Sequence, residues 1–180
     1  VQGVPLAGHS LAAFRRWRNA PAICLVGYRA AEVSAALGAE NLYILSDNPT
    51  GGTAYATYEA FCAPALLEHN PLLIITMGDR IAPPVIYERL WQTHHAGDHE
   101  ADLTMLTAQY TPPKNSGKGR ILRNEQGQVI RIVEEKDIAA EVDPTARQAL
   151  SNLTEGNCPL YMIRAHTLQR LLQPLTNANA

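Results

Sequence analysis

The sequence has little of several things, and each shortage excludes something. Cysteines number only three, Cys24, Cys62 and Cys158, far apart and in apolar or mixed stretches. An odd, scattered set builds no disulfide framework and reads as reduced thiols in a cytoplasmic protein. Charge of either sign is not in excess. A net charge of −2 gives no electrostatic footprint for nucleic acid or an anionic membrane surface. No apolar run approaches the roughly 20 residues that a membrane-spanning helix needs, and the start of the chain shows no signal-peptide pattern. "HHAGDH" supplies His94, His95 and His99. No Cys or Glu stands beside them in ligand spacing, so the cluster reads as a solvated helix end rather than zinc.

What is present is a globular composition, 46% hydrophobic and 18% charged, on 180 residues. That length suits one domain with a core able to fold without staples. Apolar runs alternate with helical patterns. "AICLVGY" (22–28), "NLYILSD" (41–47), "PLLIITMGD" (71–79) and "ADLTMLTAQYT" (101–111) read as strands. "AAEVSAALG" (30–38), "TAYATYEAFCAPALLEHN" (53–70) and the proline-led "PPVIYERLWQTHHAG" read as helices. The apolar run at 71–79 suits a parallel strand covered on both faces. The alternation predicts a three-layer α/β fold with a mostly parallel sheet. After residue 112 the pattern changes. "RILRNEQGQVIRIVEE" predicts a β-hairpin turning at "NEQG", and "NCPLYMIRA" (157–165) predicts a late strand followed by a helix.

The hairpin poses a question. Side chains alternate across a strand, so Ile130, Ile132 and Glu134 share a face. Two of them suit a core and the third is an ion that resists burial. Either Glu134 marks where the strand leaves the core, or the face opens into a polar pocket.

Ligands of open α/β sheets bind beyond the carboxyl ends of strands, and three places of that kind stand out. "SDNPTGGTAYA" follows the second strand, with Gly51 and Gly52 permitting close backbone approach and Thr53 placed to cap a helix. The same residues also suit a simple turn. "TMGDRI" puts Gly78 and Asp79 where the third strand emerges. A carboxylate there can hold Mg²⁺ together with substrate phosphates, or simply open the turn to the next helix. "EGNCPLY" starts the late strand with Asn157 between Gly156 and Cys158, a common turn setting.

Taken in order, "GGTAYA", "MGD", "GKGRI…V…IVEEKD" and "EGN…Y" resemble the sugar nucleotidyltransferase family. They are most similar to the uridylyltransferase domain of the bifunctional N-acetylglucosamine-1-phosphate uridylyltransferase/glucosamine-1-phosphate acetyltransferases. The resemblance implies a Rossmann-like nucleotidyltransferase fold with a β-hairpin insertion. It implies that Gly52 and Thr53 contact the uracil, that Asp47 lies near a base-contact position, and that Gly78 precedes the Mg²⁺-binding Asp79. It also implies that Gly119, Glu134 and Asn157 hold the amino sugar. The implied reaction joins UTP to N-acetylglucosamine 1-phosphate, with Mg²⁺ as cofactor, in the cytoplasm and for cell-wall precursors. A related transferase with another sugar or nucleotide, or a non-catalytic sugar-nucleotide-binding domain, are the alternatives. Lys118 stands where the family has tyrosine, Tyr55 where it has histidine and Met77 where it has an aromatic residue.

The family's glycine-rich phosphate loop and its strand, and its later segments, have no counterpart here. The expectation is an internal part of one nucleotidyltransferase domain, truncated at both ends and inactive alone, with a central strand absent between 22–28 and 71–79. Any oligomer is expected to form through a further C-terminal domain.

Overall fold

The computed structural model describes residues 3–47, 52–60, 68–111 and 117–173. Two compact units form. The first takes residues 1–104 and 160–180, the second residues 105–159. Among the described residues no helix is long and apolar enough to cross a membrane.

The first unit opens with helix α1 (Leu6–Trp17). Pro5 stands at its N-cap and Arg15 and Arg16 in its last turn, where positive charge complements the helix dipole. The sequence reading passed over this helix. Its Phe14 and Trp17 pack on Tyr87, edge-on at 5.7 Å and stacked at 5.9 Å. Tyr87 belongs to the helix Pro84–His94, described below, and is fully buried. Strand β1 (Ile23–Val26), helix α2 (Ala30–Leu37) and strand β2 (Leu42–Leu45) make a β–α–β unit. β1 and β2 pair in parallel, Ile23 beside Leu42 through Val26 beside Leu45. Gly38, at φ +91°, closes α2 in backbone space that favours glycine.

Helix α3 (Gly52–Ala60) covers the start of the span expected from 53 to 70; residues 61–67, with Cys62, lie outside the described residues. Strand β3 (Leu72–Thr76) pairs antiparallel with the end of a later strand, Leu72 beside Arg164 through Thr76 beside Leu160. The continuous apolar run therefore reflects half-burial on both faces, not a parallel neighbour on this side. β1 and β3 are not paired with each other: β1 has β2 beside it, and β3 ends the second sheet. Helix α4 (Pro84–His94) begins with proline at its first position, where the missing N–H costs nothing.

Strand β4 (Leu103–Gln109) and the ten-residue strand β7 (Glu155–Arg164) pair with each other. After β7 comes the last helix (Ala165–Leu172). Its Ala165, Leu168 and Leu172 bury with Ile163 and pack on Leu73 and Ile75 of β3.

The second unit holds the expected hairpin, strand β5 (Arg120–Arg123) and strand β6 (Val129–Val133). Its turn is the expected "NEQG": Gly127 N–H donates to the Asn124 carbonyl at 2.9 Å, and Gly127 has φ +78°. Two short helices, unforeseen in the sequence, follow. They are α5 (Glu135–Ala140) and α6 (Pro144–Ser151), which makes the last helix α7. The signal for α6 was present: Asp143 accepts from Thr145 N–H at 2.8 Å and Pro144 follows at the first helical position.

Candidate active site

Three strands of the second unit bring Gly119, Glu134 and Asn157 together. β5 lies between β6 and the start of β7. Arg120 stands beside Val133 on one side and Gly156 on the other. One residue earlier, Gly119 therefore meets Glu134 and Asn157. The Asn157 backbone N–H donates to the Gly119 carbonyl at 2.7 Å. Gly119 is glycine for want of space: a Cβ there would lie 2.8 Å from Glu134 Oε1 and 2.8 Å from a methyl of Ile132. The glycine lets the carboxylate rest against the backbone of the neighbouring strand.

Both readings of Glu134 contribute to the answer. β6 ends at Val133, and Glu134 is the N-cap residue of α5, so it does mark where the strand stops. Its backbone N–H donates to Asp137 Oδ2 at 3.1 Å, which fixes the turn. The face is not a core, however. Ile130 is 58% exposed, Ile132 is half-buried and Glu134 is exposed. The inward apolar face expected from "VIRIV" is thus a partly open surface carrying a carboxylate at one end.

Behind that surface lies a second set of residues that the sequence reading missed. Arg120 is almost wholly buried. Its Nη1 donates to Glu135 Oε2 at 2.7 Å and to the Lys118 carbonyl at 3.2 Å. Glu135 Oε2 also accepts the Gly117 N–H at 3.1 Å. The Arg120 guanidinium, and then the Gly117 amide, hold the Glu135 carboxyl below its ordinary pKa. Glu134 and Glu135 fall at the start of α5, past the end of β6, so strand alternation carried no signal for this pair. Beside them, Lys118 Nζ sits 4.8 Å above the Tyr110 ring, and Tyr110 and Cys158 share a hydrogen bond at 3.3 Å.

In the first unit the candidate residues sit on exposed strand ends. Asp47 follows β2. Its N–H donates to Glu59 Oε1 at 2.7 Å and its carboxylate accepts from Tyr55 at 3.0 Å, tying it to α3. Hydrogen bonding to that carboxylate raises the Tyr55 pKa. Gly52 and Thr53 open α3, as a cap region should, though their side chains are outside the described residues, as is Gly51. Gly78 and Asp79 lie in the turn after β3, both exposed. Asp79 pairs with its neighbour Arg80 at 3.7 Å. Asp79 is exposed and held no more closely than that, so its carboxylate is accessible to a hard divalent cation. Among the described residues no cluster of three or more His, Cys, Asp or Glu is arranged for a metal. His94, expected in a solvated cluster, is instead fully buried; its Nε2 lies 3.5 Å and that of His95 3.1 Å from Glu100 Oε1, and Glu100 pairs with Arg164. Glu100 accepts from Arg164 at 2.8 Å through both oxygens.

No family model matches the chain. Curated relatives do, end to end. The "Bifunctional protein GlmU" of Latilactobacillus sakei is 33% identical over 181 residues, all of this chain and 36% of that protein. That of Micrococcus luteus is 33% identical over 99% of this chain and 37% of its own length, and that of Brevibacillus brevis 31% over the whole chain. The chain resembles the sugar nucleotidyltransferases over its whole length. It spans about a third of the length of these relatives. A solved structure from Bacillus anthracis, named as a glucose-1-phosphate thymidylyltransferase in complex with a sucrose, superposes with a TM-score of 0.69. It is 15% identical and covers 97% of this chain and 65% of its own, which supports the Rossmann-like mixed α/β fold.

Proposed function

We propose that this chain carries sugar-binding and metal-binding parts of an enzyme that joins UTP to N-acetylglucosamine 1-phosphate. The products are UDP-N-acetylglucosamine and pyrophosphate, in cytoplasmic supply of cell-wall precursors. The observation that carries the reading is the meeting of Gly119, Glu134 and Asn157 on one surface of the second unit. Their order and spacing follow the GlmU-like pattern, and relatives of that name match the whole chain.

The chemistry asks for positioning more than covalent work. A phosphate oxygen of the sugar attacks the α-phosphorus of UTP, and the bond to the pyrophosphate oxygen breaks. Glu134 and the amide of Asn157 suit the hydroxyl and N-acetyl groups of an amino sugar, as acceptor and donor. The opening of α3 at Gly52 and Thr53 suits the base, with Asp47 beside it. Asp79 would hold Mg²⁺, which when bound neutralises phosphate charge and polarises the α-phosphate.

The test is direct. The full-length protein is incubated with Mg²⁺, N-acetylglucosamine 1-phosphate and each nucleoside triphosphate in turn, and pyrophosphate release is followed. Release with UTP, lost when glucose 1-phosphate replaces the amino sugar, is the expected result. Release with TTP and glucose 1-phosphate instead would overturn the substrate assignment. No release with any pair would overturn transferase activity itself.

A further inference from the structure

Resting on that reading of the sugar site, we propose that Arg120 and Glu135 are positioning residues. They form a charged clamp beside the hairpin that sets the turn Gly117–Lys118–Gly119 against the sugar. The turn is held from two sides. On the exposed side, the Gly119 carbonyl accepts from Asn157 at 2.7 Å and its Cα abuts the Glu134 carboxylate. On the other side, Gly117 N–H donates to Glu135 at 3.1 Å and the Lys118 carbonyl accepts from Arg120 at 3.2 Å. The 2.7 Å pair between Arg120 and Glu135 closes the ring. Glu134 and Glu135 thus act as one device. The second carboxylate is anchored at 2.7 Å by the buried Arg120, while the first rests against Gly119.

Folding alone does not call for this arrangement. The Arg120 side chain is 4% exposed, and its Nε has no hydrogen-bond partner among the described residues. Burying a guanidinium with an unmet donor costs desolvation that an apolar side chain of similar volume avoids. The geometry identifies what the arginine supplies in return: from one nitrogen it fixes both the Lys118 carbonyl and the carboxylate that fixes the amide of the preceding residue, Gly117. Gly117, at φ +72°, sits in backbone space that glycine favours, and a glycine restricts its own backbone least, so the turn gains from an external brace.

The test compares Arg120→Met, Arg120→Lys and Glu135→Gln with the unaltered full-length protein. Kinetics are measured against each substrate separately, with hydrogen exchange at the Gly117 amide alongside. Arg120→Met is expected to raise the sugar-phosphate KM roughly tenfold while leaving the nucleotide KM within twofold, since small misplacements of a binding group are costly. Arg120→Lys should recover part of that loss, and Gly117 exchange should speed up in Arg120→Met and Glu135→Gln. A merely structural role would lower the folded fraction and spare both KM values, which overturns the clamp and leaves the transferase reading intact. If the unaltered protein shows no transfer, the transferase reading fails and the clamp's assignment to a sugar fails with it, even where Gly117 exchange responds.

Discussion

The two units hold their candidate residues in different ways. In the second unit, Gly119 and Glu134 flank the paired ends of β5 and β6, and Asn157 lies in β7 beside Gly119. The backbone pairing that continues from the hairpin sets the Asn157 N–H 2.7 Å from the Gly119 carbonyl and lays the Glu134 carboxylate against the Gly119 Cα. In the first unit, Asp47, Gly78 and Asp79 lie beyond strand ends, exposed, and Asp79 has only a loose ion pair with its neighbour Arg80. A site knit together by cross-strand backbone pairing is arranged by folding. One made from strand ends has its backbone placed by the sheet while its side chains await a ligand. Substitutions in the two units should therefore fail differently: those in the first in activity alone, those in the second in activity and stability together.

Asp79→Asn is the sharpest test of that contrast and carries the largest expected effect. Turnover should fall on the order of 10³-fold, as for loss of a key transition-state charge contact. The melting temperature should stay within a degree or two, because the lost carboxylate is exposed. EDTA should silence the unaltered enzyme in the same way. Retention of activity in the variant would mean another group holds the metal. Gly156→Ala comes next, and acts on stability. Its Cβ would lie 2.6 Å from the Tyr110 ring, which is braced by the Thr154 carbonyl at 2.6 Å from the Tyr110 N–H. Overpacking of that kind costs about 1–3 kcal/mol. Urea unfolding should show the loss, and adding Tyr110→Leu should restore much of it. An unchanged midpoint in Gly156→Ala would break the contrast.

Gly119→Ala should be milder in stability and visible in sugar binding. The new methyl meets the mobile end of Glu134, which can swing away, and a methyl of Ile132. Displacing the carboxylate should raise the sugar-phosphate KM about tenfold, or roughly 1.4 kcal/mol, with the nucleotide KM little changed.

The smallest effect is a pH dependence in the first unit. His94 is fully buried with Nδ1 2.8 Å from Thr104 Oγ1, and His95, Glu100 and Arg164 face it. Burial, only partly opposed by Glu100, lowers the His94 pKa from its ordinary 6.5. The unfolded chain therefore binds the proton more readily, and stability present above pH 6.5 is lost as pH falls through the folded value. Urea midpoints between pH 8 and 5 should decline in the unaltered protein and flatten in His94→Gln. An equal slope in both would assign the decline to other groups.

How much of this could be read beforehand depended on the kind of signal. Strands β1, β2 and β3 and the hairpin were legible, because apolar runs between turn residues mark strands whatever their partners. The pairing of β3 was not. Half-burial on both faces produces the same run as a parallel neighbour, and the antiparallel partner, β7, lies nearly ninety positions away. Helix α1 escaped because nothing near the start marked a cap; Pro5 does that work without a side-chain hydrogen bond. The structure brings Gly119, Glu134 and Asn157 side by side, and that they belong together was legible from the order of the motifs. The grip of Arg120 was not, because a lone arginine between Gly119 and Ile121 reads as a solvated strand residue until the register turns it inward. The face of Glu134 was misjudged from periodicity alone, since alternation says which residues share a face and not whether anything covers it.

The division of the chain also decides what light can report. Both tryptophans, Trp17 and Trp91, belong to the first unit, and residues 105–159 contain none. Trp17 is stacked on Tyr87 and donates to Glu88 at 2.8 Å, so its emission is tied to the packing of α1 on α4. Indole fluorescence follows the unfolding of one unit and is blind to the other, whereas far-ultraviolet dichroism sees both. Superimposable denaturation curves from the two probes would mean a single cooperative transition. A lag between them would give each unit its own midpoint.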